Sequence, residues 1–143
     1  MKRLLTYLLL ILIPVLTSCA TTGTKDISMI NFELPGDNES ALFFVREKQW
    51  IGGGQPSKIF VDNIEVSKII SGQFDKIIVE PGRHIIRTEM GNILGVGIVP
   101  VDVTVNTKNG SSHYFIINYK AGLLAGKFRI TETTKNGFLQ ASN

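Results

Sequence analysis

The stretch that decides the fold is Val99-Pro100-Val101-Asp102-Val103-Thr104-Val105-Asn106. Valine occupies every second position, and from residue 102 onward the residues between the valines are polar. A period of two places one face of an extended strand in a core and the other face in water. No segment of the sequence has a convincing amphipathic helical pattern. The chain is therefore expected to be all-β.

Similar short segments rich in β-branched and aromatic residues flank this strand and are separated by turn residues. Asp62-Asn63 is typical of a tight hairpin, because both residue types tolerate a positive φ. The spacing favours an antiparallel β-sandwich of about seven to eight short strands, or a small barrel. We expect the sandwich, as one domain over residues 41–133. The predicted strands are 41–46, 58–61, 64–69, 74–80, 83–90, 99–106, 113–119 and 127–133.

The N-terminus has the pattern of an export signal. Two basic residues precede an apolar run over residues 4–16, which is shorter than the roughly 20 residues that a spanning helix needs. The run ends in Leu16-Thr17-Ser18-Cys19, where two small residues precede the only cysteine of the chain. This stretch resembles the lipobox of bacterial lipoproteins. The resemblance implies a signal helix over residues 1–18, cleavage between Ser18 and Cys19, and acyl chains on Cys19; the alternative is a plain signal peptide and an incidental thiol.

Acylation would determine where the protein lies. One acyl chain binds a bilayer only marginally, whereas two or three hold a soluble domain on it. Ala20, not Asp, follows Cys19; in lipoproteins of bacteria with two membranes this implies anchoring to the outer membrane, facing the periplasm or the cell surface. Residues 19–40, polar and small at 20–26, are expected to include a flexible tether. Residues 134–143 are expected to form a fraying tail, in which Phe138 and Leu139 are candidates for docking.

The charge of the chain excludes one class of partner. The sequence has 15 basic and 12 acidic residues, and two of the basic ones, Lys2 and Arg3, leave with the signal. The remaining 13 against 12 give a net charge near +1, and no run of Lys or Arg is present. The pI of about 9.1 therefore does not indicate a nucleic-acid partner, and we expect none.

A second resemblance covers residues 32–132. It consists of an opening strand that ends in Arg, a Val-Asp-Asn hairpin, a Gly-x-Phe strand start and a Pro-Gly-x-His turn. These motifs are similar to those of the DUF2846 group of bacterial lipoproteins, with Asn63 in place of the usual Gly. The resemblance implies a β-sandwich on a lipid anchor and no established activity. The motifs lie at 41–46, 58–63, 72–74 and 81–84.

Chemistry-bearing residues are few. His84 is either a ligand contact or general base, or a strand-start residue whose ring hydrogen-bonds to a turn; His113 has the same alternatives. Two histidines without grouped Cys or acidic residues make a poor metal site, and we expect neither metal nor cofactor. We expect no enzymatic activity; the alternative function is a small envelope hydrolase that uses His84 and neighbouring acids.

Loops are the better candidates for binding. Trp50 lies in a loop with Gly52, Gly53 and Gly54, and we predict this loop as a binding rim, with capping of the core edge by Trp50 as the alternative. Two apolar, glycine-rich segments, 91–97 and 121–126, either dock on a partner or lipid, or close the sandwich. The expected function is non-enzymatic binding of an envelope protein or other envelope component.

Overall fold

The computed structural model describes residues 21–50, 53–90, 100–120 and 127–142, which form two four-stranded sheets packed face to face. The strand order is β4-β1-β7-β8 in one sheet and β3-β2-β5-β6 in the other. The prediction of an all-β sandwich of seven to eight strands is confirmed, while the signal helix lies outside the described residues. The elements are β1 Ser40–Arg46, β2 Ser57–Val61, β3 Ile64–Ile69, β4 Phe74–Val79, β5 Gly82–Met90, β6 Val101–Thr107, β7 Ser112–Lys120, β8 Lys127–Thr133 and α1 Lys135–Ala141.

One strand pairing departs from the antiparallel pattern. β1 lies at the centre of its sheet, antiparallel to β4 but parallel to β7, with Phe44 opposite Phe115. The two strands are far apart in the sequence, so no hairpin fixes their relative direction. Every residue of β1 is buried, so both of its faces lie in a core. A strand covered on both sides is continuously apolar, which explains why β1 lacks the alternation seen in β6.

The main core fills the space between the sheets, and Arg46 closes one end of it. The Arg46 side chain is fully buried, its Nη1 donates to the carbonyl of Gln55, and its guanidinium lies 5.8 Å from the ring centroid of Phe128. Burial lowers the pKa of Arg46 to about 10, so the side chain stays charged at neutral pH. The buried core residues are Leu42, Phe44, Ile59, Val61, Ile69, Ile86, Met90, Val105, Phe115, Ile117, Phe128 and Ile130.

A second core covers the outer face of β1, and the C-terminal residues complete it. The structure corrects the predicted fraying tail, because residues 135–141 form α1 and its Phe138 is fully buried. Thr134 caps the helix by accepting from the backbone N–H of Gly137. Seven residues with an internal glycine are too few for a recognisable helical period, so only the docking of Phe138 was foreseeable. Phe138 lies within about 6 Å, ring centroid to centroid, of Phe32, Phe43, Phe74 and Tyr114.

The N-terminal segment also differs from the sequence prediction. Instead of a flexible tether, the structure has Thr22 donating from its backbone N–H to the carbonyl of Lys68 at 2.9 Å. Thr24 forms an antiparallel bridge with Phe74, and the Phe32 ring stacks on Phe43 at 5.2 Å. Polar composition was a poor guide, because the backbone and the hydroxyl groups of Thr21 and Thr22 bond to the sheet edge instead of to water.

The sandwich has two distinct ends. The loop end carries the described parts of the 47–56 loop, the 70–73 turn, and the exposed residues Lys120 and Lys127, which face each other across β7 and β8. Thr21, the first described residue, also lies there, because its hydroxyl accepts from Gln73 Nε2 at 3.1 Å. The turn end carries the hairpins at 62–63 and 108–111 and the 80–81 turn.

Candidate functional site at the sandwich edge

An apolar groove, here called the edge groove, lies where β3 and β4 face each other across the open side of the sandwich. Its volume is about 250 Å³. Ile64 and Ile78 leave 68% and 45% of their surfaces in water, which is unusual for large apolar side chains that line one surface. Polar groups occur at one rim only. The lining residues are Val61, Asp62, Ile64, Val66, Ile77, Ile78, Val79, Glu80 and His84.

Both walls of the edge groove are sheet edges. Among the described residues, β3 pairs only with β2, and β4 only with β1 apart from a single bridge. Thr24 of the same chain forms that bridge. Its N–H donates to the Phe74 carbonyl at 2.9 Å, and its carbonyl accepts from the Phe74 N–H at 2.8 Å. Alternate residues of an antiparallel strand point their peptide groups to the same side, so those of Lys76 and Ile78 continue the edge beyond Phe74. An extended segment can therefore add to this edge as Thr24 does.

His84 forms the polar rim, and its two ring nitrogens are both occupied. Nδ1 lies 2.7 Å from Asp62 Oδ2, and Nε2 lies 2.8 Å from the Glu80 carbonyl oxygen. Both partners can only accept, so the ring satisfies both contacts only when it is doubly protonated. Partial burial alone would lower the pKa of His84, but its hydrogen bonds to Asp62 and Glu80 outweigh that effect and raise the pKa. The sequence alternative in which the ring bonds to a turn is what the structure contains.

His113 has a different set of partners. Its Nδ1 lies 2.7 Å from Glu132 Oε1, and its Nε2 lies 3.1 Å from Ser111 Oγ. The carboxylate can only accept, so Nδ1 carries a proton, and in the neutral ring Nε2 is the acceptor for the Ser111 hydroxyl. This order of groups is the one that activates a serine for nucleophilic attack. We call Ser111, His113 and Glu132 the relay.

His113 was considered from the sequence without Ser111 or Glu132, and the relay was therefore missed. The sequence did indicate one part of the relay. Residues two apart along an extended chain point to the same face, which aligns Ser111 with His113. Glu132 was not predictable, since the register of β8 against β7 brings it across from Phe115. The structural role of Ser111 is also visible: its Oγ accepts from the backbone N–H of Lys108 at 3.0 Å and so closes the hairpin.

The predicted rim loop is fastened on both sides of an exposed tryptophan. Gln49 donates from Nε2 to the Tyr119 carbonyl and accepts from the Tyr119 N–H, while Ser71 donates its backbone N–H to the Gly53 carbonyl. Between these fixed points the side chain of Trp50 is fully exposed. The alternative in which Trp50 caps the core edge is therefore wrong.

The glycines of this loop are not equivalent. A Cβ at Gly53 would overlap the carbonyl oxygen of Gln49, whereas at Gly54 it would meet open space. Gly52 lies outside the described residues, as do the two apolar segments 91–97 and 121–126. The predicted cleavage and acylation site at Ser18 and Cys19 also lies outside them.

Two other features are absent from the part of the chain that the structure describes. The described residues contain no group of three or more His, Cys, Asp or Glu side chains that could hold a metal ion. None of the helices among them has the length and apolar character needed to cross a membrane.

Comparisons with known proteins found no match to the chain among protein-family models, curated proteins or solved structures. The site that the fold defines is thus an apolar groove between two open strand edges of a β-sandwich. The resemblances to the DUF2846 group and to lipoproteins stay predictions that rest on the motifs quoted above.

Proposed function

We propose that this protein is a lipid-anchored cell-envelope protein whose sandwich binds an extended segment of an envelope protein in the edge groove. The observation that carries the proposal is the pair of open strand edges, β3 and β4, on either side of an apolar surface. Edge strands left open are sites of strand addition unless they are protected by charge, proline or a covering element. Lys68 and the segment around Thr22 and Thr24 protect the loop-end part of these edges, whereas Ile64 and Ile78 provide apolar contacts along the part nearer the turn end.

The chain itself supports the choice of an extended polypeptide as the occupant. Thr24 already occupies one position of the β4 edge, and Thr22 donates to Lys68 at the end of β3. The edge groove continues both edges toward the turn end. Main-chain hydrogen bonds would supply affinity there, and the apolar lining would select partner side chains.

The anchor part of the proposal rests on Leu16-Thr17-Ser18-Cys19. Two or three acyl chains on Cys19 would hold the domain on a membrane without a spanning helix. With Ala20 after the cysteine, the outer membrane is the proposed location. A membrane-held protein and a groove suited to polypeptide edges together favour an envelope protein as the partner.

Site-directed crosslinking in the native envelope tests the binding function. A photoreactive phenylalanine derivative at Ile78 or Ile64 of the full chain should give the same discrete protein adduct, while the same group at exposed Thr104 on β6 should give none. Ile64→Asp should abolish the adduct at Ile78, and the matched surface change Ile85→Asp should not. Equal adducts at all three positions, or none, would contradict the groove as the binding site.

The relay favours a second candidate function, a small hydrolase acting through an acyl-enzyme on Ser111. The distances from Ser111 Oγ to His113 and from His113 to Glu132 support this candidate, and they move the proposed base from His84 to His113. A fluorophosphonate probe should then label wild type and Ser112→Ala but not Ser111→Ala. Absence of labelling in the wild type at neutral pH would eliminate this candidate and leave the binding function alone.

A further inference from the structure

We infer that the loop end of the sandwich lies against an anionic bilayer surface, with Trp50 in the interface and the edge groove directed away from the membrane. This inference rests on the proposed acylation of Cys19, and it deepens that proposal by fixing the orientation of the domain. Its basis is the position of Thr21, two residues after Cys19 in the sequence, and the groups that surround Thr21.

The attachment point is close to the loop end. Thr21 is bonded to Gln73, and Thr22 both donates to the Lys68 carbonyl and contacts Asp75 Oδ2 at 2.9 Å. Two residues span at most about 7 Å of extended chain. Acyl chains on Cys19 would therefore begin within that distance of Thr21, too short a length for the domain to tumble freely above the bilayer.

A continuous set of contacts leads from this point to Trp50. The backbone at Gly72 lies beside the side chain of Lys48. A methyl group at this glycine would be only 3.2 Å from Lys48 Cγ. Ser71 Oγ accepts from the backbone N–H of Gln49 at 2.6 Å, next to Trp50. A fully exposed tryptophan held by bonded neighbours is poorly placed in bulk water, whereas Trp is enriched at membrane–water interfaces.

The charges of the two ends differ in the sense that an anionic surface requires. Lys48, Lys120 and Lys127 are exposed at the loop end. Of the nearby carboxylates, Glu47 and Glu89 are half-buried, Asp75 accepts from the hydroxyls of Thr22 and Ser67, and Asp102 is held in a bidentate pair with Arg87 at 2.8 and 3.0 Å. The turn end carries five exposed acids against three exposed bases, Arg83, Lys108 and Lys135, so acids are in excess there; the acids are Asp37, Glu39, Asp62, Glu80 and Glu132. Each lysine near an anionic bilayer raises the partition coefficient of the protein onto that surface by a factor of about five. The excess of acids at the opposite end disfavours the inverted orientation.

The orientation determines what the edge groove meets. His84 and Asp62 mark its rim at the turn end, away from Thr21. With the loop end on the bilayer, this rim points into the aqueous compartment. A partner segment would then enter from the aqueous side and extend the β4 edge toward the membrane.

Trp50 is the only tryptophan of the chain, so its fluorescence reports on the loop end alone. Acylated full-length mature protein is purified from its own cells and reconstituted into phosphatidylcholine vesicles containing about one-third phosphatidylglycerol. We expect acrylamide quenching of Trp50 to be at least about threefold weaker than in a matched reporter, Trp50→Phe with Ile64→Trp, whose indole is at the turn end. Lipids brominated near the headgroup should quench Trp50 and spare the reporter.

A charge variant tests the role of the lysines. Lys48→Glu combined with Lys120→Glu and Lys127→Glu should restore most of the acrylamide quenching of Trp50, while the protein still floats with the vesicles. Equal quenching of Trp50 and the turn-end reporter would overturn the orientation and leave the anchor intact. Protein that fails to float with vesicles would instead contradict the acyl anchor itself, so the two failures are distinguishable.

Discussion

At the scale of single residues, the two histidines show how partners decide the role of a side chain. His84 and His113 both follow a turn at the start of a strand, and the sequence offers the same alternatives for each. His84 faces two acceptors, a carboxylate and a carbonyl, which favour the charged ring. His113 faces one carboxylate and one hydroxyl, an arrangement that the neutral ring satisfies.

The His84–Asp62 pair predicts a pH dependence of stability. His84 has a raised pKa in the folded state, so its contribution to the free energy of unfolding is complete below its ordinary value of 6.5 and is lost as pH rises through the folded pKa. The pKa of Asp62 is lowered, first by the Ile85 backbone N–H and then by His84, so its contribution is lost as pH falls. The pair therefore stabilises most between about pH 4 and 6.5.

An NMR titration of the histidine rings measures this directly. Asp62→Asn should lower the pKa of His84 because it removes the carboxylate that Nδ1 contacts. Asp102→Asn, which disrupts only the pair with Arg87, is the control and should leave the His84 titration in place. A His84 pKa that is at or below 6.5 in the wild type would contradict the double-donor geometry.

At the scale of elements, the strands were predictable and the covering segments were not. The predicted bounds of β1 to β8 agree with the structure within one or two residues. A strand buried on one face alternates between apolar and polar residues, and a strand buried on both faces is continuously apolar. The helix α1 and the segment beginning at Thr21 are held by long-range contacts with β1, β3 and β4, which no local pattern encodes. The edge groove was unpredictable for the same reason, since it depends on which strands end up unpaired.

Helix α1 should contribute more to stability than its length implies. Phe138 is the centre of the second core, so Phe138→Ala is expected to lower the free energy of unfolding by about 3–5 kcal/mol through a cavity between four rings. Asn136→Ala, on the exposed side of the same helix, should change it by less than about 0.5 kcal/mol. Urea unfolding followed by far-UV circular dichroism gives both values; equal small changes would indicate that α1 is not docked.

The two described glycines of the Trp50 loop form a matched pair for a second test. Gly53→Ala places a methyl group against the Gln49 carbonyl and should destabilise the protein by about 1–3 kcal/mol, with faster amide hydrogen exchange at Gln49 and Ser71. Gly54→Ala meets open space and should leave both measurements unchanged within error. If both variants behave alike, the loop is not fastened as described.

At the scale of the whole molecule, the arrangement separates two surfaces. Thr21, Trp50 and three exposed lysines lie at the loop end, whereas the polar rim of the edge groove and an excess of exposed acids lie at the turn end. A lipid-held domain needs this separation, because a binding groove on the membrane side would be covered by its own anchor. The proposed anchor and the proposed orientation thus depend on one covalent modification.

The measurement that tests this most directly is the intact mass of the protein purified from its own cells. The account predicts a chain that begins at Cys19, without residues 1–18, and is heavier than that chain by a diacylglyceryl group and one further acyl chain. A mass that includes residues 1–18, or an unmodified Cys19 thiol, would contradict the anchor and the membrane orientation that depends on it.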